Sequence, residues 1–126
     1  MDRPALQRWL DDYVNAWRTN DAAAIGVLFT ADAEYRYHPA DEPVFGREEI
    51  VASWLEQPDE PGTWDAWYAP FAVEGDRGVA TGVSTYFDAE GAPDRVYDNV
   101  FVMEFTKDGH CRSFTEWFRQ RPVPEA

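Results

Sequence analysis

Tyr97-Asp98-Asn99-Val100-Phe101-Val102-Met103-Glu104-Phe105, then Thr106-Lys107-Asp108-Gly109, then the return over residues 110–119, decide how this chain folds. The three pieces read as two long antiparallel strands joined by a tight turn. Asp108-Gly109 marks that turn, because glycine tolerates the positive φ that short hairpin loops require. Side chains alternate across a strand with period two. In Phe114-Thr115-Glu116-Trp117-Phe118, Glu116 therefore shares a face with Phe114 and Phe118. A carboxylate on an aromatic face is costly unless it is paired, solvated or put to use.

Working outward, two more strands are expected over 63–73 and 78–87, with turns at Glu74-Gly75-Asp76-Arg77 and over 88–94, and the first strand of the hairpin is expected over 95–106. The tail Arg121-Pro122-Val123-Pro124 is expected to leave the sheet. Ahead of the strands lie helices. Leu6, Leu10, Tyr13 and Trp17, with Trp9 and Val14 beside them, form an apolar stripe at helical spacing. Asp2 can cap that helix, and Pro4 fits its first turn. Asn20 or Asp21 caps a second helix running to Phe29, with Ile25, Leu28 and Phe29 inward and a turn over 30–33. A short strand over 34–38 ends at Pro39, and 40–43 is a loop. Gly46-Arg47-Glu48-Glu49 opens a third helix, whose acidic first turn suits the helix dipole. Ile50, Val51, Trp54 and Leu55 form its stripe, and a loop over 58–62 stands at a rim. Helices first and a long meander afterwards give an α+β domain, with helices packed on a curved, mostly antiparallel sheet.

The 126 residues suit a single domain with a substantial core. Six Trp, six Tyr and eight Phe exceed what a minimal core needs, so the surplus either lines a cavity or crowds the interior. The net charge of −13 repels phosphate backbones and anionic lipid, so neither nucleic acid nor a membrane is an expected partner. One cysteine, Cys111, excludes an intrachain disulfide, and no Cys/His group has zinc spacing, so no metal is expected. With no leader-like segment and no membrane-length apolar run, a cytoplasmic location is expected.

The order α-α-β-α-β-β-β-β at this length resembles the nuclear transport factor 2-like superfamily, particularly its SnoaL-like branch. The resemblance rests on Tyr13 placed eight residues before Asp21 and on Phe45-Gly46-Arg47-Glu48-Glu49-Ile50. Val102-Met103-Glu104-Phe105 before Asp108-Gly109, and Glu116-Trp117 ahead of Pro122, complete it. It implies a cone-like α+β barrel, three N-terminal helices on a strongly curved sheet around a pocket, and a homodimer through the sheet's other face. It does not fix an activity, because the superfamily holds isomerases, cyclases, dehydratases, epoxide hydrolases and binders. Tyr13 falls where the similar ketosteroid isomerases keep an oxyanion-stabilising Tyr. Tyr37 and Phe101 fall where they keep two Asp, so steroid isomerisation is not expected. Scytalone dehydratase-like members need two pocket His, and here His110 sits at a turn, leaving only His38. Glu116 resembles the acid/base Glu that some phenazine-pathway relatives keep before a Pro.

The implied registration turns Tyr97, Asn99, Phe101, Met103 and Phe105 inward, with Phe114, Glu116 and Phe118, and with Ala80, Gly82 and Ser84. Small residues in that last row either leave room for a ligand or mark a bend. Glu116 is either a pocket acid/base with a raised pKa or a carboxylate paired with Arg112 or Arg119, or standing in water. Tyr13, Tyr37 and Tyr97 either bond a ligand oxygen or are core tyrosines. Asn99, turned inward, needs partners from a ligand or Glu116. Asp98 points away, towards a dimer contact. His38 either shuttles protons or sits at the solvent edge, and Trp17 and Trp54 are core, ligand platform, or both.

The expected function is small-molecule binding, with cofactor-independent isomerisation, cyclisation or dehydration of an apolar carbonyl compound. In it Glu116, Tyr37 and Tyr13 are catalytic. Trp17, Tyr35, His38, Trp54, Tyr97, Asn99, Phe101, Met103, Phe114 and Phe118 contact the small apolar or aromatic ligand. The alternatives are a binding module without chemistry and a structural homodimer whose cone is filled by Trp17, Trp54 and Phe118.

Overall fold

The computed structural model describes residues 1–122; of the tail, Val123 and Pro124 lie outside the described residues. Helix α1 (Arg3–Thr19) starts where the Asp2 carboxylate accepts the Ala5 N–H at 2.9 Å. It ends at Asn20, whose φ of 53° is the left-handed conformation that closes a helix. Leu6, Trp9, Leu10, Tyr13 and Ala16 are its buried face. A buried side chain of the Leu or Trp kind contributes roughly 1.5–3 kcal/mol through removal from water. Asn20 thus ends α1, and Asp21 caps α2 (Ala22–Gly26), accepting the Ala23 N–H at 2.9 Å.

The second helix does not run to Phe29. It stops at Gly26, and strand β1 occupies Phe29–Arg36, including the stretch expected to be a turn. Long-range pairing overrides the local pattern here. The Leu28 carbonyl accepts the Cys111 N–H at 2.8 Å and the Trp9 indole N–H at 3.1 Å. The Arg47 fork closes on the Phe29 carbonyl at 3.0 and 2.8 Å. Phe29 pairs with Cys111, and the register slips before Glu34. A two-residue strand, β2 (Val44–Phe45), is a further element the sequence pattern conceals; it pairs with Glu34 and Tyr35.

Helix α3 (Arg47–Glu56) follows, with Ile50 its one buried residue; Val51, Trp54 and Leu55 are half-buried. Strands β3 (Trp64–Glu74), β4 (Arg77–Phe87), β5 (Pro93–Phe105) and β6 (Cys111–Gln120) form the meander. The ladder outlasts β6 by one rung, because the Arg121 N–H bonds the Val96 carbonyl at 2.8 Å. One six-stranded sheet results, in the order β2-β1-β6-β5-β4-β3. β1 and β6 are parallel and the other neighbours antiparallel. The sheet curves round the helices as in the nuclear transport factor 2-like cone, and α1 lies chiefly against β3. Among the described residues, no helix is long and apolar enough to cross a membrane.

Gly82 marks a close approach of β4 to β3. A Cβ there would collide with the Trp67 carbonyl and the Tyr68 ring, and would lie 2.8 Å from the Tyr68 Cα. The missing side chain therefore makes room for Tyr68, not for a ligand.

Candidate functional site

Alternation along the last hairpin builds the site. Phe101 stands opposite Glu116, Asn99 opposite Phe118, and Met103 opposite Phe114. On the other flank, Ala80, Gly82 and Ser84 stand opposite Phe101, Asn99 and Tyr97. The inner face closes over a core at one end and opens into a cavity of about 350 Å³ at the other.

Of the residues singled out in the sequence, Tyr13, Trp17, Tyr35, Tyr37, Trp54, Tyr97, Asn99, Glu116 and Phe118 line this cavity. Phe101, Met103 and Phe114 do not. All three are buried beneath it, and aromatic rings cover the two phenylalanines: Tyr35 stacks on Phe114 at 4.5 Å, and Tyr13 packs on Phe114 and Phe101 at 5.6 and 5.4 Å. They support the wall instead of contacting its contents. His38 is also outside the lining, because β1 ends at Arg36 and the chain turns away. Its ring packs on Phe118 at 5.0 Å.

Glu116 has no hydrogen bond or ion pair among the described residues; Arg112 and Arg119 are both exposed and do not reach it. Burial alone pushes its pKa up to about 7. Its charge acts on Tyr13, Tyr35, Tyr37 and Tyr68, all of which are held above the usual phenol range first by burial.

The tyrosines differ in what their protons do. Ser53 donates to the Ile50 carbonyl at 2.9 Å, so the 2.8 Å contact between Ser53 and Tyr37 uses the Tyr37 proton. Tyr13 and Tyr35 share one hydrogen bond of 2.9 Å. That pair holds two protons and spends one on itself, leaving one O–H for a partner in the cavity. Asn99 is buried and donates to the Ser84 hydroxyl at 3.1 Å and the Tyr97 carbonyl at 3.2 Å, so its partners are not Glu116. Trp17 lies on Trp64 at 3.6 Å and donates to Asp59 at 2.9 Å, which ties the 58–62 loop to α1. The Trp54 indole N–H is enclosed without a partner among the described residues.

Ser84, expected to face inward, also lines the cavity, and Asn20, Ser53, Gln57, Asp59, Tyr68, Tyr86 and Arg95 complete the lining. Two of these had a usable signal: Tyr86 follows Ser84, and Arg95 precedes Tyr97, by two residues on inward rows. Asp98 points away from the cavity, as expected, and is held by Arg121 of its own chain at 2.7 and 2.9 Å. Among the described residues, no three of His, Cys, Asp and Glu converge to hold a metal ion.

Comparison with known proteins agrees with this architecture. The model of the SnoaL-like domain matches residues 10–114. An NTF-2 like protein of unknown function from Burkholderia xenovorans LB400 superposes with a TM-score of 0.70 at 20% identity, covering 98% of this chain and 88% of that one. A protein from Kribbella flavida DSM 17836, provisionally named a ketosteroid isomerase, superposes with a TM-score of 0.72 at 17% identity, covering 99% and 85%. At these identities the likeness speaks for the fold alone. No curated protein matches the sequence. With the family model spanning most of its length, and with the helices, sheet order and cavity described above, the chain belongs to the SnoaL-like domain family, within the nuclear transport factor 2-like fold.

Proposed function

We propose that the cavity binds a small apolar or aromatic carbonyl compound and that Glu116 moves a proton at the carbon beside the carbonyl, without metal or organic cofactor. The observation that carries this is a carboxyl group on the cavity wall with no partner, ringed by tyrosines. A base with a pKa near 7 is ionised in useful amount at neutral pH and still strong enough to accept a proton from carbon. As the C–H bond breaks onto Glu116, its electron pair moves into the carbonyl and charge grows on oxygen. The spare O–H of the Tyr13–Tyr35 pair donates to that oxygen. Glu116, now protonated, returns the proton to another carbon (isomerisation) or to a departing hydroxyl (dehydration). Tyr37, bonded to Ser53, and Asn99, bonded to Ser84, fix the walls that orient the ring body, while Trp17, Trp54, Tyr97 and Phe118 supply apolar contact.

Deuterium exchange tests this without knowledge of the natural substrate. In D2O, cyclic enones and aryl ketones should gain deuterium at the α-carbon in the presence of the wild type, with a rate that rises through about pH 7 and then levels. Glu116→Gln should lower that rate by at least about a hundredfold, the range for loss of a general base. Equal exchange in both proteins overturns the assignment.

A second reading, binding without chemistry, is favoured by Tyr37 and Phe101 standing where the isomerases keep acids. Under it, ligands bind and no deuterium enters. The open cavity between Trp17, Trp54 and Phe118 weighs against a filled structural cone. We also propose a homodimer through the outer face of the sheet. Trp67, Val100, Val102 and Trp117 are exposed there on strands whose alternate residues face inward.

A further inference from the structure

The acid-base role uses the closed end of the cavity and leaves one charged residue without a task. Arg95 is the one cation among the described lining residues. The chain has 24 Asp and Glu, yet Arg95 enters no ion pair among the described residues. Its guanidinium lies over the Tyr86 ring at 4.6 Å, and Nη1 reaches the Tyr97 hydroxyl at 3.4 Å. Tyr86 is its register partner on β4, so the stacking follows from the strand pairing itself.

A guanidinium laid on a ring keeps its edge donors free in the ring plane, and Tyr97 occupies only one of the five. The inward row of β5 reads Phe105, Met103, Phe101, Asn99, Tyr97, Arg95, from closed core to rim. The row is apolar as far as Phe101, carries polar groups at Asn99 and Tyr97, and ends in a positive charge. Six residues separate Phe101, which faces Glu116, from Arg95. At about 3.4 Å per residue that is about 20 Å between α-carbons, part of which the two side chains span.

We propose that Arg95 receives a carboxylate, so that the ligand is a keto acid: an apolar ring body, a carbonyl with an acidic C–H at Glu116, and an acid group at the mouth. This rests on the acid-base role for the deep end, although the mouth needs no chemistry to hold its anion. The fork of Arg95 also fits phosphate. Asp59, which accepts the Trp17 indole N–H and the Tyr86 hydroxyl, brings a negative charge to the same tyrosine, and the net charge is −13. Both disfavour a dianion more than a monoanion.

The probes are 2-naphthylacetic acid and its methyl ester, titrated by calorimetry into wild type, Arg95→Gln, Arg95→Lys and Glu116→Gln, each first shown to melt cooperatively. The wild type should bind the acid about tenfold tighter than the ester, a difference of about 1.4 kcal/mol. In Arg95→Gln the acid-to-ester ratio should fall to about one, and Arg95→Lys should restore part of it. At about 1 M salt, where the screening length is about 3 Å, the wild-type ratio should shrink. Glu116→Gln should keep the ratio while losing deuterium exchange, which separates the two ends. A wild-type ratio near one, a ratio indifferent to Arg95→Gln, or no binding of either probe at millimolar concentration overturns the assignment.

Discussion

At the scale of single residues, Glu116 governs how stability responds to pH. Its folded pKa is about 7, against about 4.3 for an unfolded glutamate. The folded state therefore holds this proton more tightly than the unfolded chain does. Stability from this group is highest below the unfolded pKa, falls as pH rises through the folded pKa, and levels above it. The window amounts to roughly 3–4 kcal/mol at about 1.4 kcal/mol per pH unit. Glutamine does not titrate. Urea unfolding should show Glu116→Gln gaining about 3 kcal/mol over the wild type between pH 4 and pH 8. Parallel curves would mean a solvated carboxylate and remove the basis for its role. Glu116 was legible because alternation alone places it among Phe114 and Phe118. Tyr68 and Asp59 were not: Tyr68 reaches the cavity because Gly82 lets its ring pass, and Asp59 comes from a loop. Which tyrosine has a free proton depends on Ser53 and Ile50, contacts that no spacing in the sequence encodes.

At the scale of elements, the hairpins and the first helix follow from local rules, and the structure has them within about two residues of the sequence pattern. The β1 region departs because its cause is distant. Leu28 and Phe29 look helical beside Ile25, but Cys111, Trp9 and Arg47 claim their carbonyls, and a strand starts where a helix had reason to continue. The β3–β4 pairing carries the sharpest prediction at this scale. Gly82→Ala places a methyl group against the Trp67 carbonyl and the Tyr68 Cα, backbone that cannot rotate aside. Overpacking of this kind costs about 1–3 kcal/mol. Because Tyr68 is displaced with it, naphthyl probe binding should weaken in the fraction that still folds. A melting temperature unchanged by Gly82→Ala would show that the two strands have slack the close approach denies them. Ala80, in the same inward row but buried beneath the wall, is the control: Ala80→Gly should lower stability without that specific loss of binding.

At the scale of the molecule, the two sides of the sheet face opposite problems. The inner side holds a cavity and a lone carboxylate. The outer side exposes Trp67 at 60% and Trp117 at 44%, with Val100 and Val102 between. Exposed aromatic rings on β3 and β6, with the apolar side chains of β5 between them, are the composition of an interface core. A stable dimer buries about 800 Å² per partner, which several adjoining strands can supply. Each copy carries −13, so two copies repel one another while their apolar faces attract. The competition has a definite sign. Sedimentation equilibrium should find a dimer that tightens as salt rises from about 0.01 M, where the screening length is about 30 Å, to about 0.15 M, where it is about 8 Å. Trp117→Glu places a charge beside Val100, its register partner in the patch, and removes a ring that the single chain leaves half in water. It should yield a monomer with near-native melting behaviour, because the lost contacts are between chains. Its cavity should still bind the naphthyl probes, since Trp117 points away from Glu116 on the same strand. A wild type that stays monomeric at high protein concentration and moderate salt would remove the dimer and leave the outer face without an assigned partner.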